Sequence, residues 1–330
     1  MASAGHGPLG SGSIGILEEC PYVKVLIHIY IWQHCQGRQT LSLAVLPLNV
    51  AALPLWVTRM ANDPVVSTRK RMDRRKTYLA VGRCIYCGRQ PPGVTLHLEH
   101  IIAESLGGTL ELPAASCDRC AKETHAYEGQ CAGRLFAPIR AQLNFPSKRT
   151  LKNRIKKFTM TFDGVRRKIH QDEYPGMVIS FVNGFPGILT GAPMADNYSG
   201  GVAIATLPQF GERLNRLRAK FQASKVEFNP DFDIDHLGRM LAKIAHAYAT
   251  AELGHGNFRP LLLDIILGKK PLYISHYVGG IRDQETPEGA DLHEIEIDNT
   301  GLGRGRYVVV RIQLFADRKL PEYYVVAGET

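Results

Sequence analysis

Four cysteines in two matched pairs are the residues of this sequence best suited to bind a metal. Cys84 and Cys87 form one Cys-x-x-Cys pair, Cys117 and Cys120 form the other, and 29 residues lie between the pairs. Zn²⁺ prefers four soft ligands in a tetrahedron, and two turns of this kind supply them. We therefore predict a structural zinc site. Because the stretch between the pairs is longer than in a simple zinc ribbon, we expect it to be folded itself.

Cysteine usage also indicates the compartment. The chain has seven cysteines, an odd number, and no convincing secretory signal, which argues against a disulfide scaffold. Paired cysteines in a reducing compartment bind metal rather than one another. The sequence therefore predicts a cytoplasmic protein.

An acid and an imidazole, Glu99 and His100, stand side by side between the cysteine pairs. The letters "TLHLEH" alternate as a short strand, "SLGG" is a turn, "TLEL" returns as a second strand, and "DRCAKETHAYEG" is a helix. This order places the end of the first strand against the helix face that carries Ala121, His125 and Glu128. A carboxylate and a helix imidazole can hold one divalent cation while His100 accepts a proton from water. Such an arrangement is suited to phosphodiester cleavage.

The positive charge of the chain is concentrated around these residues. The formal net charge is +9, yet the stretch from Val66 to His170 holds 21 Lys and Arg against 8 Asp and Glu, a net of +13 that leaves −4 elsewhere. Such an excess attracts a polyanion, and nucleic acid, DNA above all, is the favoured partner; a merely solvated surface is the alternative. The residues predicted to contact phosphates are Arg69, Lys70, Arg71, Arg74, Arg75, Lys76, Lys148, Arg149, Lys152, Arg154, Lys156 and Lys157.

The segments "CIYCG", "LEHIIAESLGG" and "SCDRC", followed by a helix, resemble the HNH endonuclease family in its zinc-stapled ββα-metal branch. A bacterial and phage subgroup of that family is the most similar, and the resemblance extends weakly to most of the chain after residue 75. It implies that Glu99 is a metal ligand, that His100 is the general base, and that Mg²⁺ or another divalent cation serves catalysis. It also implies products with 5′-phosphate and 3′-hydroxyl ends.

The sequence departs from this family pattern at two positions. The usual final ligand, an Asn or His after the second cysteine pair, is Ala121 here, and no Asn lies between Ile101 and Cys120 to orient the base. His125 lies one helical turn beyond Ala121 on the same face and matches the second helix histidine of colicin-type nucleases. We assign His125 as the cation ligand, with Glu128 in reserve. A non-catalytic, zinc-stapled nucleic-acid-binding protein is the alternative.

Outside this module the sequence predicts segregated helices and strands, and hence an α+β fold. One helix spans Pro208 to Ser224, and a second, "HLGRMLAKIAHAYATAEL", begins at an Asp235 cap and ends at Gly254. His246 on the second helix is interpreted as a solvent-facing or core-edge residue rather than a ligand. The tail "RYVVVRIQLFADRKLPEYYVVAG" predicts two strands joined by a polar turn, a β-hairpin.

Three regions are predicted along the chain: an apolar N-terminal extension (1–65), the basic module with its flanking segments (66–170) and an α+β accessory region (171–330). The run "LSLAVLPLNVAALPLWV" in the extension is broken by prolines and is short for a membrane span of about 20 residues, so no membrane partner is expected. We expect translation to start at Met60 or Met72, which mass spectrometry of the native N-terminus would test.

Overall fold

The computed structural model describes residues 75–145, 156–195, 201–228, 233–281, 291–298, 301–302 and 305–330, together with the backbone of residues 27–32 and 40–45. Apart from those two strands, the predicted N-terminal extension and its proposed start sites lie outside the described residues. Helices make up 33% of the structure and strands 31%, which confirms the predicted α+β class. No helix of the described residues is long and apolar enough to cross a membrane.

The strands, numbered in chain order, are β1 (Ile27–Trp32), β2 (Thr40–Val45), β3 (Lys76–Thr77), β4 (Leu96–His100), β5 (Leu110–Cys117), β6 (Lys157–Phe162), β7 (Val165–His170), β8 (Met177–Val182), β9 (Gly201–Thr206), β10 (Val226–Phe228), β11 (Arg259–Pro260), β12 (Val278–Ile281), β13 (His293–Ile297), β14 (Tyr307–Leu314) and β15 (Glu322–Glu329). The helices are α1 (Asp118–Gln130), α2 (Ala137–Gln142), α3 (Gly187–Thr190), α4 (Phe210–Phe221), α5 (Ile234–Leu253), α6 (Leu263–Ile266) and α7 (Ile274–Tyr277).

The cysteine-bearing segment folds as two strands followed by a helix, in the predicted order. β4 and β5 are antiparallel, β3 adds to β5 in parallel, and α1 begins directly after β5. The turn between β4 and β5 depends on glycine. Gly107 has a φ of 89°, and a Cβ on Gly108 would lie 1.9 Å from the carbonyl oxygen of Ile102. The "SLGG" sequence therefore fixes the hairpin that positions Glu99 and His100.

The described residues form three further sheets. One has the order β1-β2-β10-β6-β7, a second is the pair β8-β9, and the third has the order β11-β15-β14-β13 with β12 also on β15. The predicted hairpin of the tail is confirmed as β14 and β15, which pair antiparallel over most of their length. The strand β7 lies at the edge of the first sheet, and its residues 165–168 are all exposed.

The long helix α5 connects the accessory region to the cysteine-bearing segment. It packs against α1 on one side and against β14 and β15 on the other. From Met240 to Thr250 every residue except Tyr248 is buried, so this part of the helix is covered on all sides. Buried residues on both sides of α5 belong to one continuous hydrophobic core. The helix therefore positions its own polar side chains inside the ββα segment.

Two expectations about α5 need correction. The N-cap is Asp233 rather than Asp235, and its carboxylate accepts a hydrogen bond from the N–H of His236 at 3.1 Å. Asp235 pairs instead with Lys270 at the surface. His246 is buried in the core rather than solvent-facing or at the core edge, because α5 has no exposed face along most of its length.

Candidate functional site

The four paired cysteines converge on one point. Their Sγ atoms all lie within 4.8 Å of one another, and the Sγ atoms of Cys87 and Cys117 are 3.7 Å apart. Tetrahedral zinc with Zn–S bonds of about 2.3 Å would place sulfurs about 3.8 Å apart. Three of the cysteines are buried and Cys87 is half-buried, and none forms a disulfide. Spacing, burial and ligand chemistry all fit a structural zinc ion.

The first cysteine pair lies in a tight backbone turn. The N–H of Gly88 donates to the carbonyl oxygen of Cys84, and Gly88 has a φ of 71°. Ile85, between the two cysteines, accepts a hydrogen bond at 2.9 Å from Nε2 of His246 on α5. Burial lowers the pKa of His246 to about 4, so its imidazole is neutral at pH 7. α5 therefore supports the zinc turn directly.

The carboxylates of Glu99 and Glu128 meet on the ammonium of Lys243 from α5. The nitrogen Nζ of Lys243 lies 2.6 Å from an oxygen of Glu99 and 2.8 Å from an oxygen of Glu128. It also donates to the main-chain oxygens of His100 and, at 3.3 Å, Ile101. The Lys243 side chain is only 1% exposed, and both carboxylates are buried with it. We call these three residues the Glu99–Lys243–Glu128 triad.

Opposite charges keep the buried lysine ionised. Burial lowers the pKa of Lys243, but the two carboxylates outweigh that effect and leave its pKa above the ordinary value. Burial raises the pKa of Glu128, and Glu99 raises it further, while Lys243 acts in the opposite direction. Because the ammonium contacts both acids, the charge on each of the three groups depends on the other two.

His100 lies at the end of β4 beside this triad. Its side chain is half-buried, and its register partner across the hairpin is Glu111 on β5. The Nδ1 atom is buried and has no hydrogen-bond partner within the described part of the chain. This matches the sequence observation that no asparagine is available to orient the base.

The structure does not gather the predicted ligands of the catalytic cation. His125 is exposed on α1, whereas Glu128, three residues later, is buried. Ala121 contributes no ligand atom, and the Glu99 carboxylate is bound to Lys243. Within the described ranges, the four cysteines are the one group of three or more Cys, His, Asp and Glu residues close enough to share a metal. The residues present therefore do not fit the divalent cation that the resemblance implies.

The basic residues predicted to contact phosphates divide into three groups. Arg75 pairs with Glu104 and Glu111, and Lys76 pairs with Glu252. Lys156 and Lys157 lie at the start of β6, where Lys157 is exposed. The remaining eight lie outside the described residues: Arg69, Lys70, Arg71, Arg74, Lys148, Arg149, Lys152 and Arg154.

Sequence reasoning missed Lys243. It lies in the letters "MLAKIAHA", where apolar residues surround it on every side of the helix. A helix of this composition is buried all round, and a lysine inside it requires an acidic partner. That signal was available in the sequence. The identity of the partners was not, because Glu99 and Glu128 lie more than a hundred positions earlier.

Comparison with known proteins agrees with this geometry. Residues 84–130 match a family model described as HNH endonuclease. No curated protein and no solved structure matches the chain. The matched segment runs from the first cysteine of the cluster to the last residue of α1, so it coincides with the ββα unit and its four thiols. Residues 84–130 are therefore a module of the HNH endonuclease family, held by a cysteine cluster that fits a zinc staple.

Proposed function

We propose that this chain is an endonuclease that hydrolyses phosphodiester bonds of nucleic acid, with DNA as the favoured substrate and His100 as the base. The position of His100 carries the proposal. Its half-buried imidazole lies at the end of β4, next to Glu99, within the segment that matches the HNH endonuclease model. HNH domains typically act on nucleic acid, and the basic charge of residues 66–170 agrees with such a partner.

The proposed reaction uses His100 to activate water. A neutral imidazole takes a proton from the attacking water as the new bond to phosphorus forms. The bond from phosphorus to the 3′-oxygen breaks, and that oxygen gains a proton, which leaves the 5′-phosphate and 3′-hydroxyl ends that the resemblance implies. A divalent cation, where bound, supplies charge stabilisation at the phosphate. No step is assigned to a cation here, because Lys243 holds the carboxylates.

Basic side chains of the β6–β7 hairpin can contribute to substrate binding. Lys157, Arg166, Arg167 and Lys168 are exposed, and the last three follow one another on an edge strand. Exposed Lys and Arg side chains bind phosphates without reading sequence. We therefore propose that residues 166–168 bind the nucleic-acid backbone, in addition to the basic segments predicted above.

A second candidate is a nucleic-acid-binding protein without cleavage activity. Two observations favour it: the Glu99 carboxylate is bound to Lys243, and Nδ1 of His100 has no orienting partner among the described residues. Both candidates share the zinc staple and the basic surface. Catalysis by His100 is what separates them.

The test is cleavage of plasmid DNA, single-stranded DNA and RNA by the zinc-loaded protein, with Mg²⁺, with Mn²⁺ or with EDTA. His100→Ala should lower the rate by about 10²–10⁴-fold, the usual contribution of a general base. His97→Ala is the matched control, because His97 lies on the same strand but is exposed and pairs with Asp118. Zinc content is measured in every sample, since EDTA can also remove structural metal.

The outcomes distinguish the two candidates. Cleavage that His100→Ala abolishes and His97→Ala preserves supports the endonuclease. Cleavage that survives His100→Ala contradicts the assigned base. Binding without cleavage of any substrate, measured by fluorescence anisotropy in parallel, supports the second candidate. His125→Ala should leave cleavage unchanged, because His125 is exposed and joins no described ligand group.

A further inference from the structure

We propose that Lys243 is the resident cation of the HNH module, and that Glu99 and Glu128 bind a divalent cation only when Lys243 is replaced. The inference concerns the site of the proposed function, but it holds whether or not the chain cleaves nucleic acid. It rests on where the ammonium lies. Nζ of Lys243 sits between the strand carboxylate and the helix carboxylate, at 2.6 and 2.8 Å.

The ammonium of Lys243 lies among oxygen atoms of the protein. A lysine ammonium has three N–H groups. Four acceptors surround Nζ of Lys243: the carboxylates of Glu99 and Glu128, and the main-chain oxygens of His100 and Ile101. Hard oxygen ligands from carboxylates and main-chain carbonyls are also those that Mg²⁺ or Mn²⁺ would use. Lys243 therefore occupies the oxygen atoms that a divalent cation would need as ligands.

The side chain of Lys243 cannot easily leave its position between the two carboxylates. It lies in the middle of α5, whose neighbouring residues from Met240 to Ala247 are all buried. Other side chains fix the same helix to the module: Arg239 pairs with Glu123 on α1 at 2.6 Å, and His246 bonds to Ile85. Removing the ammonium from its place would leave two buried carboxylates facing each other, which is strongly unfavourable.

A divalent cation would also lack space beside the ammonium. Mg²⁺ keeps several water molecules and prefers octahedral geometry, which requires room for solvent around the ion. The triad is instead buried within the protein, and two buried tyrosines feel the charges of its acids. Tyr86 and Tyr127 are 2% and 0% exposed, and the charges of Glu99 and Glu128 add to burial in raising the pKa of both. The wild-type protein should therefore not bind Mn²⁺ at this position.

Mn²⁺ binding to the zinc-loaded protein tests the inference without any nuclease measurement. Free Mn²⁺ is followed by electron paramagnetic resonance in wild-type protein, in Lys243→Met, and in Lys243→Met combined with Glu99→Gln and Glu128→Gln. We expect Lys243→Met to bind one Mn²⁺ at least tenfold more tightly than wild type. The triple variant should lose that binding, because it keeps the cavity but removes the charge.

A second measurement, of thermal unfolding, tests the inference even if the variants have low stability. The thermal midpoint of Lys243→Met, and of the more polar Lys243→Gln, should rise on addition of Mn²⁺, while that of wild type should not change. One stoichiometric Mn²⁺ in wild type that Glu99→Gln abolishes would overturn the inference. It would also be overturned if folded Lys243 variants bound no Mn²⁺, or if both variants stayed unfolded in excess Mn²⁺. A failed cleavage assay would leave each of these results unaffected.

Discussion

The HNH module contains two charged or metal-binding clusters that are built in opposite ways. The cysteine cluster comes from a single stretch of 37 residues, Cys84 to Cys120, and its four thiols face one another. The Glu99–Lys243–Glu128 triad takes Glu99 from the same stretch, Glu128 from α1 beyond it, and its cation from α5. The first cluster needs a metal from outside the chain. The second receives its cation, the ammonium of Lys243, from the chain itself.

The difference follows from ligand chemistry. Thiolates placed this closely repel one another, and no side-chain cation matches the strength of four Zn–S bonds. The two carboxylates can instead share the one ammonium that contacts both of them. A lysine on a helix from elsewhere in the chain can therefore take the place of a hard divalent cation, but no side chain can take the place of Zn²⁺.

Loss of a zinc ligand should have the largest effect. Structural Zn²⁺ contributes on the order of 10 kcal/mol to small zinc domains, so Cys120→Ser should unfold the module and lower the zinc content far below one per chain. Cys131→Ala is the control, because Cys131 is buried at 2% exposure but lies outside the cluster. Metal analysis and urea unfolding measure both effects. Full stability of Cys120→Ser without zinc would show that the cluster is not a staple.

Loss of Lys243 should have the next largest effect on stability. Removing one partner from a buried ion pair costs about 3–5 kcal/mol, so Lys243→Met should lower the free energy of unfolding by that amount in metal-free buffer. Lys269→Met is the matched control, since Lys269 pairs with Asp264 at the surface, where an ion pair contributes about 0–1 kcal/mol. Urea unfolding measures both. Equal, small losses would contradict a buried triad.

His293 is buried without an acidic partner among the described residues, and it should make stability depend on pH. His293 donates from Nε2 to Leu106 and accepts at Nδ1 from the N–H of Phe315, so the neutral ring is required. Burial lowers its pKa to about 4, against 6.5 for a free histidine. The unfolded chain therefore binds a proton that the folded chain does not.

Stability should be complete above pH 6.5 and should fall as the pH approaches 4, by up to about 3 kcal/mol from His293 alone. His293→Gln keeps a donor and an acceptor but cannot titrate, so it should flatten this part of the profile. Urea unfolding between pH 7.5 and 4.5 checks the difference between the two proteins. Parallel profiles would mean that His293 is not held neutral by the fold.

The smallest effect is expected at the start of α5. Asp233→Ala removes the N-cap and should cost about 1 kcal/mol. Asp235→Ala removes a surface pair with Lys270 and should cost less, about 0–1 kcal/mol. Thermal unfolding compares the two variants. A larger loss of stability from Asp235→Ala would indicate that Asp235 is the N-cap, as the sequence predicted.

Local patterns predicted the ββα module well because its signals are short in range. Cysteine spacing, the alternation before His100 and the glycines of "SLGG" each act within a few residues. The helix of residues 118–130 and the C-terminal hairpin were predicted for the same reason. The N-cap of α5 was misplaced by two residues, since both Asp233 and Asp235 have the right chemistry and only the backbone decides between them.

The cation site could not be predicted, for a different reason. Glu99 and Glu128 are acidic residues close to His100 in the sequence. A divalent cation or a lysine could equally well lie between two such acids. The choice depends on which side chain of the accessory region reaches them. Packing of α5 against α1 makes that choice, and no periodicity within either segment contains it.

Short-range signals in the sequence predicted the cysteine cluster, the hairpin and helix that present His100, and the concentration of positive charge around them. These features depend on ligand type, turn chemistry and composition, all of which can be read locally. Tertiary packing alone places Lys243 between Glu99 and Glu128, brings His246 against the turn of the first cysteine pair, and leaves His125 exposed on α1. Those contacts join residues far apart in the chain, and burial in a common core fixes them.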